Sequence, residues 1–101
     1  MTSKRDLARY ARLVRYGCVC CKLLGIYSIP EIHHLVDKGY RKHSGGNQAT
    51  LPLCPAHHRG GSAERAMGPS LADGSKPFAA HWGTQRELLA MVNANLAELK
   101  A

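Results

Sequence analysis

Two closely spaced pairs of residues constrain the fold of this chain more than any other feature. Cys18 and Cys21 form the first pair, and Cys54 and His57 form the second with the same spacing. Each pair can span one edge of a tetrahedron, and Zn²⁺ accepts thiolate and imidazole ligands alike. The pattern predicts a structural Cys₃His zinc site that joins distant segments. The alternative is a set of buried free cysteines with solvent-exposed histidines.

A fourth cysteine, Cys20, lies inside the first pair. Its Cys-x-Cys spacing with Cys18 suits a single ion less well, so we expect Cys20 to pack against the core instead. The N-terminal stretch MTSKRDLARYARLVRYG is charged throughout and lacks an apolar signal core, which predicts a cytoplasmic location. In such a compartment, four cysteines point to metal binding before disulfides.

The length and charge of the chain narrow its partners. A chain of 101 residues predicts one domain, 1–101, whose modest core a bound metal would help to hold. Lys and Arg number 14 against 7 Asp and Glu, which gives a formal charge of +7. Such a charge predicts an acidic partner, most often nucleic acid, although a soluble protein can also simply be basic. There is no run of 18 apolar residues, so we expect no membrane span.

Helical periodicity marks both ends of the chain. The basic segment 1–16 contains KRDLARYARLVRY, whose arginines lie mainly away from an apolar stripe formed by Leu7, Tyr10, Ala11 and Val14. A second helix is predicted over 84–100, where Thr84 and Glu87 form a capping box. Its apolar stripe consists of Leu88, Met91, Val92, Leu96 and Leu99.

Shorter elements are predicted between these helices. The apolar and β-branched residues of 26–36 indicate a strand with Pro30 at its start or at a bulge. The glycine-rich, polar segments 37–50 and 68–77 read as loops. Pro55 suits the first position of a short helix that Gly60 and Gly61 would end.

The strand carries two adjacent histidines in the sequence EIHH, residues 31–34. Neighbouring strand residues point to opposite faces, so His33 and His34 would not form a simple pair on one surface. At a strand end, one could bind a metal while the other accepts a proton from water. A purely structural role for both is an equally good interpretation of these two residues alone.

Taken together, the motifs resemble a known family. CxxC, a strand that ends in HH, a glycine-rich loop and LCxxHH at a helix start resemble the HNH endonucleases, in which a ββα-metal motif binds one catalytic divalent ion. LCPAHH places His57 where the second cysteine of a zinc pair usually stands. More narrowly, the sequence is similar to the phage recombination-enhancement (Ref) nucleases from Gly17 to the C-terminal helix. The segments that carry this similarity are GCVCC, EIHH, TLPLCPAHHRG and SKPFAAHWGTQRELL.

The resemblance implies a role for each matching residue. His33 and His58 match ligands of the catalytic divalent ion, which would be Mg²⁺, Mn²⁺ or another transition metal. His34 matches the general base that activates water. Asn47 matches the middle residue, which orients the base or the scissile phosphate. Common HNH sequences place this asparagine five residues before the cysteine, where Ala49 stands here, so Thr50 and His43 remain alternatives for the middle residue.

The resemblance also implies a fold and partners. The fold is α+β, a small zinc-stapled ββα-metal (HNH) domain with flanking terminal helices. Its zinc and ββα-metal core covers 17–60, with hairpin strands near 31–36 and 50–53. The implied activity is metal-dependent hydrolysis of DNA in a phage- or prophage-encoded protein of a bacterial cytoplasm, related to recombination and with a host recombinase filament as a further partner. The basic residues expected to contact phosphate are Lys38, Arg41, Lys42 and Arg59.

A second class of function uses the same zinc site without catalysis. In that interpretation the protein is a zinc-stapled nucleic-acid-binding module, and it has no need of His33, His34 and His58. A third interpretation pools these histidines, with Cys20, into a second structural zinc site. The surplus of metal ligands beyond Cys18, Cys21, Cys54 and His57 favours the nuclease.

Overall fold

The computed structural model of the protein describes residues 2–36, 38–39, 41–62 and 67–98. Within these ranges the chain forms a small α+β structure of six helices around one two-stranded sheet. The helices are α1 (Lys4–Tyr16), α2 (Val19–Leu23), α3 (Arg41–Ser44), α4 (Pro55–Arg59), α5 (Ser75–Trp82) and α6 (Gln85–Glu98), and the strands are β1 (Glu31–His34) and β2 (Thr50–Leu53). Among the described helices, none combines the length and apolar character that crossing a membrane requires.

The two strands pair in an antiparallel hairpin in which His33 faces Leu51 and His34 faces Thr50. Strand β1 is shorter than predicted at both ends. The segment before it is held by the end of α1 and the start of α2 instead of by β2. The Tyr27 hydroxyl donates to the Val14 carbonyl at 2.7 Å, and the N–H of Cys18 donates to the Ser28 carbonyl at 3.1 Å. Strand β2 is fully buried, since α1, α2, α4 and α6 all contact it.

Helix α1 has the predicted position but not the predicted buried face. Leu7 and Val14 are 58% and 43% exposed, whereas Leu13 and Tyr16 are buried. Arg9, which the periodicity directed outward, reaches inward with its guanidinium. It donates to the Thr50 hydroxyl and carbonyl, both at 2.8 Å, and to Asn93 Oδ1 at 2.8 Å. The contact of α1 with β2 and α6, where an apolar side chain is expected, is thus made in part by the Arg9 guanidinium and its hydrogen bonds.

Helix α6 confirms the predicted capping box. The Thr84 N–H donates to Glu87 Oε1 at 2.8 Å, and the Glu87 N–H donates to Thr84 Oγ1 at 3.1 Å. The buried side of this helix consists of Leu88, Leu89, Val92 and Leu96, with Met91 partly buried. Leu99 of the predicted stripe lies outside the described residues. The short helix that begins at Pro55 and ends at Gly60 is also as predicted.

Two segments predicted as loops contain helical structure. The segment 37–50 includes α3 and a 3-10 turn over Gly46–Gln48, and the segment 68–77 includes a 3-10 turn over Leu71–Asp73 and the start of α5. Helix α3 and the two 3-10 turns each span about one turn, which is too short to show a 3.6-residue periodicity, so the pattern missed them. Helix α5 is fixed by Phe78, whose side chain is fully buried in the core.

Candidate metal centre and histidine site

The four predicted zinc ligands meet in the interior of the molecule. Cys18 and Cys54 are the N-cap residues of α2 and α4, and Cys21 and His57 follow in the same helices. All four are buried, and their ligand atoms lie within 4.8 Å of one another. We call this group the Cys₃His cluster. Two helix starts packed against the hairpin therefore bring the two sequence pairs together.

The spacing of the cluster fits a tetrahedral ion. A zinc ion with ordinary bond lengths would set S–S edges of about 3.8 Å and S–N edges of about 3.6 Å. The Cys21 and Cys54 sulfurs are 3.8 Å apart, and His57 Nδ1 lies 3.3, 3.5 and 3.7 Å from the sulfurs of Cys54, Cys21 and Cys18. The donor set and its distances therefore suit Zn²⁺.

The orientation of His57 supports the same assignment. Its Nε2 lies 2.9 Å from the Met67 carbonyl oxygen, which can only accept a hydrogen bond. The proton must therefore sit on Nε2, which leaves the Nδ1 lone pair facing the three sulfurs. A backbone acceptor on the second ring nitrogen is the usual way in which a protein orients a metal-binding histidine.

Cys20 does not join the cluster but contacts one of its members. Its side chain is fully buried in the core, as predicted. The pKa of the Cys18 thiol is lowered to about 4, mainly through its interaction with the Cys20 side chain. Cys20 therefore favours the thiolate form of Cys18, which is the form that binds metal.

The other three predicted site histidines are His33 and His34 in β1 and His58 in α4, which contacts β1, and we call these three the histidine site. His33 and His58 lie against each other with ring centroids 5.1 Å apart. His58 Nδ1 is 2.9 Å from Glu31 Oε1, so the carboxylate accepts its proton and Nε2 keeps a lone pair. Arg59 holds the same carboxylate at 2.6 Å, and the pKa of Glu31 is lowered, mainly by its hydrogen bond from His58.

His33 is oriented from a distant element. Its Nε2 lies 2.7 Å from Oε1 of Gln85, the first residue of α6. Since this amide oxygen accepts, the proton sits on Nε2 and the lone pair on Nδ1. Burial lowers the pKa of His33, which favours the neutral form that binds metal.

His34 contacts a different set of residues on the other side of the strand. Its Nε2 lies 2.9 Å from Asn47 Oδ1 and 3.5 Å from the Tyr10 hydroxyl. Asn47, one of the three candidates for the middle residue, thus contacts His34 directly. Thr50 instead supports Asn47, because its buried hydroxyl donates to the Asn47 carbonyl at 3.2 Å. His43 lies in α3.

The predicted phosphate-binding residues divide into two groups. Lys38, Arg41 and Lys42 are exposed and lie between the end of β1 and the 3-10 turn that carries Asn47. Arg59 is also exposed, with 68% of its side chain accessible, but its guanidinium is paired with Glu31. The positive charge of Arg59 is thus partly balanced within the protein, unlike an unpaired surface cation.

Sequence patterns missed the residues that orient the histidines. Gln85 and Asp6 belong to the terminal helices, and Asp6 accepts a hydrogen bond from Asn47 Nδ2 at 3.1 Å. Glu31 lies inside the EIHH motif, and no role follows from its position there. The spacing of Ser3 and Asp6 fits a capping box at the start of α1. Such a spacing indicates a helix start and gives no sign that Asp6 lies near a histidine.

These features define a small α+β protein with a zinc-type Cys₃His cluster next to a group of individually oriented histidines. The chain belongs to the family described as recombination enhancement, RecA-dependent nuclease, whose model matches residues 2–97. The match confirms the similarity predicted from the motifs and places the protein among nucleases linked to recombination. No curated protein matches the chain, and no solved structure matches it either.

Proposed function

We propose that the protein is a metal-dependent HNH endonuclease that hydrolyses DNA phosphodiester bonds. In this proposal β1, β2 and α4 form the ββα-metal motif. One observation carries the proposal: in each imidazole of the histidine site, one ring nitrogen lies within hydrogen-bond distance of a side-chain oxygen that can accept its proton. The acceptors are Glu31 for His58, Gln85 for His33 and Asn47 for His34. Each ring thereby presents one defined lone pair, as ligands and a base require.

The roles follow from the pairing of the rings. His33 and His58, whose rings lie together, would hold a divalent ion that neutralises charge on the phosphate and on the leaving 3′ oxygen. Two neutral imidazoles leave the site more positive than an Asp-His pair would. We therefore propose that Mn²⁺, Co²⁺ or Zn²⁺ supports activity better than Mg²⁺.

His34 performs the proton transfer in this mechanism. Its proton is on Nε2, where Asn47 Oδ1 accepts it, so Nδ1 is the atom that takes a proton from the attacking water. The water then attacks phosphorus in line with the leaving oxygen. Asn47 holds the ring and makes no bond to the reacting atoms.

The remaining residues bind DNA or support the fold. The exposed cations Lys38, Arg41 and Lys42 are placed to contact phosphates without reading sequence, so affinity should fall steeply with salt. Arg59 would contribute to DNA binding once its guanidinium leaves the Glu31 carboxylate and pairs with a phosphate. The Cys₃His cluster would hold a structural zinc ion. Because the family is described as RecA-dependent, we propose a recombinase filament on DNA as the physiological partner.

The His34→Ala variant tests this proposal against a zinc-stapled binding module. We expect cleavage of supercoiled DNA to fall by about 100-fold or more, with zinc content, circular dichroism and DNA affinity unchanged. His81→Ala is the matched control, since it removes an exposed histidine of α5 that belongs to neither site. Cleavage by His34→Ala at the parent rate would refute the nuclease mechanism, and loss of folding would point to a structural site.

A further inference from the structure

A hydrogen-bonded chain leads from the start of α1 to His34. Asp6 Oδ2 accepts a bond from Asn47 Nδ2 at 3.1 Å, and Asn47 Oδ1 faces His34 Nε2 at 2.9 Å. The other carboxylate oxygen of Asp6 accepts from Gln48 Nε2 at 2.7 Å. Residues that are far apart in sequence thus form one continuous path that ends on the imidazole.

The chemistry of the groups sets the direction of this path. An ionised carboxylate can only accept hydrogen bonds, so Asp6 selects the NH₂ end of the Asn47 amide. The oxygen end of the amide is then turned to His34, where it can only accept. The proton of His34 is therefore held on Nε2, and its lone pair is held on Nδ1. Hydrogen bonds from Gln48 and Asn47 are the largest causes that keep the pKa of Asp6 well below its usual range, which preserves this acceptor.

We propose that Asp6 is a positioning residue of the active site, which fixes the tautomer of His34 through the Asn47 amide. The inference rests on the proposed function, since it assigns His34 as the base. Without the carboxylate, the Asn47 amide can turn over and present its NH₂ group to His34. That arrangement favours a proton on Nδ1 and removes the lone pair that accepts the proton of water.

The same carboxylate also begins helix α1. The Ser3 N–H donates to Asp6 Oδ2 at 3.2 Å, and the Asp6 N–H donates to Ser3 Oγ at 3.1 Å, which completes a capping box. A loss of activity in an Asp6 variant therefore has two potential causes: a weaker helix start, or a misdirected imidazole. Ser3→Ala separates them, because it breaks the capping box and keeps the carboxylate that Asn47 needs.

The test compares Asp6→Ala, Asp6→Asn and Ser3→Ala with the parent. Two quantities are measured: kcat and KM for cleavage of labelled DNA, and the ¹⁵N chemical shifts of the His34 ring in protein that keeps its cluster zinc but has no added divalent ion, at about pH 8, where a histidine is ordinarily neutral. For Asp6→Ala we expect kcat to fall by about tenfold or more with little change in KM, and the His34 proton to move from Nε2 toward Nδ1.

The other two variants sharpen the result. Asp6→Asn keeps one acceptor oxygen for Asn47, so it should recover part of the lost kcat and of the Nε2–H signal. It also keeps the test decisive if Asp6→Ala fails to fold. Ser3→Ala should keep kcat within about twofold, because the path from Asp6 to His34 is intact.

Three results would overturn the inference. Parent-like kcat and His34 shifts in Asp6→Ala would show that Asp6 does not control the ring. Equal losses in Ser3→Ala and Asp6→Ala would reduce Asp6 to a helix cap. An Asp6→Ala kcat loss with the His34 proton still on Nε2 would exclude tautomer control. Parent-like cleavage by His34→Ala would instead refute the proposed function, while the ring shifts would still report on the Asp6–Asn47–His34 chain.

Discussion

The Cys₃His cluster and the histidine site meet at His57 and His58, yet the two sites are held in opposite ways. His57 is fully buried, and its ligand partners come from two short sequence pairs. His58 is partly exposed, and the other two histidines, His33 and His34, are oriented by Gln85 and by Asn47. Local spacing thus assembles the first site, whereas tertiary contacts shape the second. Stability should depend on the first site and activity on the second.

Removing a cluster ligand should give the largest effect and tests the first half of this comparison. In Cys54→Ala we expect loss of zinc and of folded structure, because apparent zinc affinities of about 10–16 kcal/mol become folding free energy in small domains. Metal content by mass spectrometry and circular dichroism measure both. His57→Cys is the matched control: it supplies a fourth thiolate, and should keep zinc and fold. A folded, zinc-free Cys54→Ala would break the comparison.

A ligand of the histidine site should behave in the opposite way. His58→Ala is expected to lower cleavage by about 100-fold or more, with zinc content and thermal stability close to those of the parent. The assay adds Mg²⁺, Mn²⁺ or Co²⁺ to protein that keeps its cluster zinc but carries no other divalent ion, and the parent should favour the transition metals. Strict preference for Mg²⁺ would contradict the two-imidazole ligand set. Unfolding of His58→Ala would mean that the two sites are not separable.

Substitution of the residues that orient His58 should give the smallest loss of cleavage activity. Glu31→Ala removes the acceptor of His58 Nδ1, and losing such a partner typically costs about 10-fold or more in affinity or activity. We expect kcat to fall at saturating metal while zinc content stays constant. Arg59→Ala, which removes the other partner of the same carboxylate, should raise KM for DNA more than it lowers kcat. If Glu31→Ala instead raised KM for DNA and left kcat unchanged, Glu31 would be assigned to DNA binding.

The contrast between local spacing and tertiary contacts also explains which site residues could be predicted from the sequence. The spacing of Cys18, Cys21, Cys54 and His57 predicts the cluster because a tetrahedral ion constrains ligand positions within each pair. Family resemblance, and not spacing, pointed to Asn47 as the partner of His34. No sequence pattern links Gln85 or Asp6 to the histidines, since these roles depend on contacts across 52 and 41 residues. Such contacts arise from the packing of α1 and α6 on the hairpin.

Helix α1 shows why amphipathic patterns fail next to a polar site. The periodicity favoured Leu7 and Val14 as the buried side, but the guanidinium of Arg9 fills the contact with β2. Thr50, at the centre of this contact, accepts from Arg9 and donates to Asn47. The polar network that orients the site thus replaces part of the apolar core that a hydrophobic pattern detects.

The place of α6 at the C-terminal side of the chain allows an order of events during synthesis. A ribosome releases the chain from the N-terminus, so all four cluster ligands emerge before Gln85 and Asn93. A nascent chain can therefore bind zinc and form the hairpin while His33 still lacks its acceptor and Arg9 its contact with α6. Zinc binding can then begin before the histidine site is complete, so the metal-stabilised part of the fold can start to form before the proposed active site does.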